Sequence, residues 1–161
     1  MIKIRHIEGH KFEATNGKEI LVIDTDKYSP VELFITGMGN CSLFDVVEMA
    51  KNKGYKIEAE MEIESKRRDT FPKIFTEFHF IYKLKSNADN VTAKRWVLSS
   101  LETYCSTINT VRATSKIFYT IILNDETIAY KESIISGNGG DLGLESFSDD
   151  DDGFGCACCN A

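Results

Sequence analysis

Apolar and polar residues follow two periods along this chain, and the switches between them divide it into elements. Period two is clearest at residues 55–64, where Tyr55, Ile57, Ala59, Met61 and Ile63 alternate with Lys56, Glu58, Glu60, Glu62 and Glu64, as in a strand with one buried face. Residues 74–85 form a second strand that buries Phe78, Phe80, Tyr82 and Leu84, with His79 on the exposed face beside Glu77 and Lys83. Shorter bursts within residues 1–28, joined by the hairpin dipeptide Asn16-Gly17, predict an antiparallel amino-terminal sheet in which His6, His10 and Lys18 are solvated. The β-branched run at 116–124 predicts a closing strand.

Between these lie two helical stretches. Residues 29–50 start on a capping signal: Ser29 for the open amide groups, Pro30 at the first helical position, and Glu32 completing a capping box. Gly54 stops the helix, with Lys51 and Lys53 near its negative end. Its apolar residues fall on every side, so burial all round is predicted. A second helix, capped by Asp89 or Asn90, runs to about Tyr104 with Trp96 as a packing anchor, and a short third starts near Ser106 and reaches about Ala113.

Composition narrows the function classes. A chain of 161 residues with 42% hydrophobic and 27% charged residues is that of a globular domain with a core of its own. The net charge of −6 argues against a nucleic-acid partner, although much of it sits in Asp149, Asp150, Asp151 and Asp152. No apolar run reaches the length of a membrane span and the opening residues lack a signal-peptide core, which predicts a cytoplasmic protein without a membrane partner. Residues 1–135 are expected to form one domain. Residues 136–161, rich in Gly, Ser and Asp and ending in Cys156, Cys158 and Cys159, are expected to be a flexible acidic tail.

The chemistry available to the folded body is chiefly that of sulfur. The glutamates of residues 58–64 are water-facing strand residues, and His79 has no second ligand at metal spacing, so neither a metal nor a cofactor is expected. Cys41 lies in the middle of the first helix and Cys105 where the third begins, a position that favours its thiolate. A cysteine pair in a reducing compartment is more often reactive than a permanent staple. The plainer reading of Cys41 is a small buried apolar residue.

Four stretches, in this order, resemble the OsmC/Ohr family: Ser29-Pro30-Val31-Glu32-Leu33-Phe34; Gly39-Asn40-Cys41 with Asp45-Val46-Val47; Pro72-Lys73-Ile74-Phe75-Thr76; and residues 98–106, which end Tyr104-Cys105-Ser106. The resemblance implies an α+β fold with antiparallel sheets wrapped around two central helices in an intertwined homodimer. It also implies a thiol peroxidase in which Cys41 attacks an organic hydroperoxide, Cys105 closes a disulfide, and a dithiol reductant resets the pair. Val31 stands where the dedicated hydroperoxidases carry a glutamate that holds an arginine at the thiol, and Cys105 is followed by Ser106 where many members have proline. The match is therefore to the OsmC-like branch, with Arg5, Lys18, Arg67, Arg68 and Arg112 as the available cations. The alternative function is a non-catalytic homodimeric domain binding a small apolar or thiol-bearing molecule.

Overall fold

The computed structural model describes residues 1–135, in two compact units that divide between Gly37 and Met38. The acidic tail, with Cys156, Cys158 and Cys159, lies outside the described residues. The first unit, Met1–Gly37, is built on a three-stranded antiparallel meander of β1 (Lys3–Glu8), β2 (Lys11–Thr15) and β3 (Ile20–Asp24). Its two turns pass through Gly9 (φ 49°) and Gly17 (φ 94°), a left-handed backbone that glycine adopts without strain. Asn16 Oδ1 accepts from the amides of Lys18 and Glu19 at 2.9 Å each, which closes the predicted Asn-Gly turn. Ile2, Ile4, Ile20, Leu21 and Val22 stay exposed on this small sheet.

Helix α1 (Pro30–Asn52) begins in the first unit and continues into the second. Its capping box forms as the sequence requires: Glu32 N donates to Ser29 Oγ (3.2 Å) and Ser29 N to Glu32 Oε2 (2.8 Å). Within the single chain the expected burial all round holds for one face only. Buried positions follow the stripe Met38, Cys41, Ser42, Asp45, Val46 and Met49, while Phe34 and Phe44 are exposed. Composition is apolar on every side, but that three-four spacing marks a single covered face.

The second unit carries a four-stranded sheet in the order β4 (Ile57–Arg67), β5 (Phe75–Ser86), β6 (Lys116–Leu123) and β7 (Glu126–Ser133). The β4–β5 and β6–β7 pairs are antiparallel, but β5 and β6 are parallel, so the sheet is mixed rather than antiparallel throughout. The reason is the long connection between them, which holds α2 (Asn90–Ser99), a π-helical turn (Ser100–Tyr104) and α3 (Ser106–Val111) and returns the chain in the same direction. Strand β7 has no counterpart in the sequence reading. It follows β6 through Asn124 (φ 50°) and Asp125 (φ 68°), a tight hairpin turn written without glycine.

The core of this unit takes Phe78, Phe80, Tyr82 and Leu84 from β5 and Ile117, Tyr119, Ile121 and Leu123 from β6. Val97, Leu101 and Ile108 cover it from the helical connection. Gly39 sets the approach of α1 to β4, because a Cβ there would overlap Ile63 Cδ1 and stand 3.3 Å from Met61 Sδ. Trp96 is buried with its ring edge-on to Tyr55, centroids 5.2 Å apart, as a packing anchor should be. His79 departs from expectation, being only 7% exposed. It sits on an inner strand where Nε2 meets Thr120 Oγ1 (2.8 Å) and Nδ1 meets Glu64 Oε2 (3.2 Å), so both strand faces are covered there.

Candidate functional site: a buried cysteine pair

Two elements of the second unit bring the cysteines together. Cys41 lies on the covered stripe of α1, and Asp45, four residues on, projects from the same face one turn later. Cys105 is delivered by the π-helical turn, in which its amide donates to Ser100 O at 2.9 Å, five residues back rather than four. The turn leaves carbonyls that α3 satisfies: Asn109 Nδ2 donates to Thr103 O (3.1 Å) and Cys105 O (3.0 Å), and Arg112 Nη1 to Glu102 O (3.1 Å).

The result is compact. The sulfurs of Cys41 and Cys105 and a carboxylate oxygen of Asp45 all lie within 4.8 Å of one another, and all three residues are buried. Both cysteines are thiols. Behind them runs a line of buried hydroxyls: Tyr82 Oη lies 2.5 Å from Ser42 Oγ, Ser42 Oγ 2.8 Å from Ser100 Oγ, and Ser100 Oγ 3.1 Å from Asp45 Oδ2. An ionised carboxylate only accepts, so with Asp45 charged Ser100 is the donor in that contact; its hydroxyl also lies 3.2 Å from Ser42 O.

Burial dominates the electrostatics. It pushes the Asp45 carboxyl up to about 6, against the pull of the Ser100 hydroxyl. It also pushes the Cys105 thiol up to about 12, although Thr107 Oγ1 at 3.1 Å and the Ile108 amide favour the thiolate. The sequence expectation for Cys105 is thus half met. It does stand at the cap of α3, but one short turn of dipoles does not offset the loss of water around a fully buried sulfur. Tyr82 is held protonated by the same desolvation.

The cations considered from sequence are placed as follows. Arg5 forms a two-pronged pair with Glu13 (3.0 and 3.1 Å), Arg67 donates to Lys73 O (2.8 Å) beside the Phe75 ring, and Arg68 donates to Pro72 O. Arg112 is buried, and desolvation lowers its proton affinity. Lys18 is exposed in the turn before β3. Two thiols and a carboxylate are donors that a borderline metal ion accepts, though three fall one short of a structural zinc site. Asp45 is the site residue to which sequence reasoning gave no role. Its signal was the Cys41-x-x-x-Asp45 spacing, which puts a carboxylate on the covered face of a helix.

A family model described as OsmC-like protein matches residues 23–119. The chain belongs to the OsmC-like family. Among relatives of this OsmC-like chain, Protein YhfA of Escherichia coli is 33% identical over 112 residues, covering 65% of this chain and 83% of that protein. Solved structures share the fold. An OsmC-like protein from Mycoplasma pneumoniae superposes with a TM-score of 0.66 at 17% identity, over 76% of this chain and 95% of its own. A Legionella pneumophila protein described as an organic hydroperoxide resistance protein and predicted redox protein gives 0.53 at 16%, over 75% and 96%. No helix among the described residues is long and apolar enough to cross a membrane.

Proposed function

We propose that this OsmC-like protein is a thiol peroxidase that reduces organic hydroperoxides through Cys41 and Cys105. The observation that carries the reading is the approach of the two sulfurs to within 4.8 Å in a buried setting. The Cys41 thiolate attacks the distal peroxide oxygen; an S–O bond forms, the O–O bond breaks, and the alcohol leaves, so that Cys41 becomes a sulfenic acid. The Cys105 sulfur then attacks Cys41, an S–S bond forms and water leaves. A dithiol reductant returns both thiols by exchange. One hydroperoxide and one dithiol give one alcohol, one water and one disulfide. The buried Met38 and Val46, on the same covered stripe of α1 as Cys41, give the thiol an apolar setting that favours an organic over an inorganic peroxide.

The working unit in this reading is a cytoplasmic homodimer of a domain spanning residues 1–135. The exposed apolar residues of β1 and β3 in the first unit, and separately Phe44 in the second, are positions a second copy would bury. The family match runs across the boundary between the two units, in support of one domain. The test is consumption of tert-butyl or cumene hydroperoxide with a dithiol reductant by the full chain. Turnover is expected in wild type and lost in Cys41→Ser; turnover that survives this substitution overturns the proposal.

A second reading is favoured by the high proton affinity of Cys105, which suits an inert wall better than a nucleophile. In it the protein binds a small apolar or thiol-bearing molecule without catalysis. Native mass spectrometry of freshly purified protein separates the two, since this reading requires a co-purifying ligand and negligible peroxide consumption.

A further inference from the structure

The cycle above moves a proton without saying what carries it. Attack by Cys41 requires the thiol to lose its proton, and cleavage of the O–O bond leaves an alkoxide that must gain one. Sulfur is at the wrong end of the peroxide to hand its proton over directly, because the leaving oxygen is the one it does not touch. In water the solvent bridges this gap. Cys41 is 8% exposed and Cys105 is fully buried, so little solvent reaches the sulfurs and a carrier within the protein suits the step.

We propose that Asp45 is the proton relay of this peroxidase, taking the proton from the Cys41 thiol and delivering it to the leaving alkoxide oxygen. The inference rests on the peroxidase reading and adds a catalytic group to it. The geometry is that of one helical turn: Cys41 and Asp45 are four apart on the covered stripe of α1, with a carboxylate oxygen within 4.8 Å of both sulfurs. Catalytic hydrogen bonds are often longer before substrate binds than in the reacting complex, and the relay requires this contact to tighten in that way. Balance is kept at each step. The carboxylate gains the thiol proton as the thiolate forms; the S–O bond forms and the O–O bond breaks; the carboxylic acid loses the same proton to the alkoxide, which departs as alcohol. Asp45 ends as it began.

The surroundings hold the carboxyl for this work. Ser100 meets Oδ2 at 3.1 Å, and Ser42 and Tyr82 stand behind it in line, which orients the carboxyl and leaves its remaining hydrogen-bonding capacity to the sulfurs and substrate. The groups that face it are Cys41 from its own helix and Ser100 and Cys105 from the π-helical segment, with Tyr82 of β5 behind Ser42. Desolvation by this packing brings the carboxyl to about 6, where both protonation states are populated near neutrality, as a group that must accept and then donate requires.

The experiment measures single-turnover oxidation of Cys41 by two oxidants in wild type, Asp45→Asn, Asp45→Glu and Cys41→Ser. One oxidant is tert-butyl hydroperoxide, whose alkoxide leaving group needs a proton. The other is peroxybenzoic acid, whose carboxylate leaving group needs none. Asp45→Asn is expected to slow the hydroperoxide reaction about 100-fold and the peracid reaction about tenfold or less, with Asp45→Glu recovering part of the difference. Equal slowing with both oxidants, as from a merely structural disturbance, overturns the relay. Should Asp45→Asn not fold, wild type alone decides: its rate constants across hydroperoxides of increasingly acidic leaving alcohols are expected to vary little, and a steep dependence like that of a small-molecule thiolate overturns the relay. A wild type inert to every hydroperoxide, or an active Cys41→Ser, overturns the peroxidase reading itself. An active wild type and inactive Cys41→Ser, with the two-oxidant ratio unmoved in Asp45→Asn, removes only the relay.

Discussion

Asp45→Asn should make the folded protein more stable at neutral pH while leaving it no better off in acid. The side chain is 5% exposed, and its carboxyl titrates at about 6 in the native state against an ordinary value of 3.8. Between those values the native state binds more protons than the unfolded chain, so the Asp45 contribution to stability falls as pH rises through this window and is constant above it. At about 1.4 kcal/mol for each tenfold change in proton affinity, the ionised carboxylate destabilises the fold by about 3 kcal/mol before relaxation, and by about 2 once the local dielectric response is allowed for. Asparagine keeps the shape and an acceptor for Ser100 but carries no charge. Thermal unfolding followed by circular dichroism at pH 4, 5, 6 and 7.5, at fixed protein concentration, measures the difference. The melting temperature of the variant relative to wild type should climb with pH by about 4–8 °C across this range. The pH-dependent part is the test, since the exchange of one hydrogen-bonding group for another adds a constant offset. Parallel curves for the two proteins would refute the argument that burial, rather than charge pairing, governs this carboxyl.

Four further outcomes follow from the site and its packing. Cys105→Ser should stop the cycle after one turnover and accumulate a Cys41 sulfenic acid that dimedone traps, whereas a variant that turns over normally would remove Cys105 from the cycle. With its thiol pushed up to about 12, Cys105 should resist iodoacetamide in the native protein at pH 8 and react on unfolding in urea, as read by peptide mass mapping. For the same reason native stability should decline above about pH 9, where the unfolded thiol ionises first. Gly39→Val should destabilise the fold by about 1–3 kcal/mol in urea titration, because the added atoms meet Ile63 and Met61 on β4.

What was legible in the sequence was local. The Ser29–Glu32 capping box, the Asp89 cap that accepts from Thr92 N, the alternation of β4 and the stop at Gly54 each depend on residues within a few positions of one another. Features decided at long range were read less well. The burial of His79 depends on Glu64 and Thr120 from neighbouring strands, and the parallel pairing of β5 with β6 depends on where a helical connection ends. Both cysteines were found because they are the only two in residues 1–135. Asp45 was passed over because the polarity of a residue in an apolar helix does not by itself disclose what faces it. The hairpin into β7 was hidden because Asn124 and Asp125 carry the left-handed turn that glycine usually marks.

The single wide turn at Ser100–Tyr104 sets the phase of everything after it. Each residue of a regular helix advances the chain by about 100° around its axis. Removing one residue between positions 100 and 104 would let the helix run on evenly and swing the following sulfur by about that angle, off the face that meets α1. The redox couple would then be lost through a change of phase with both thiols retained, so the length of that one turn, together with the Ser100 hydroxyl that meets Ser42 and Asp45, keeps the two halves of the site in step.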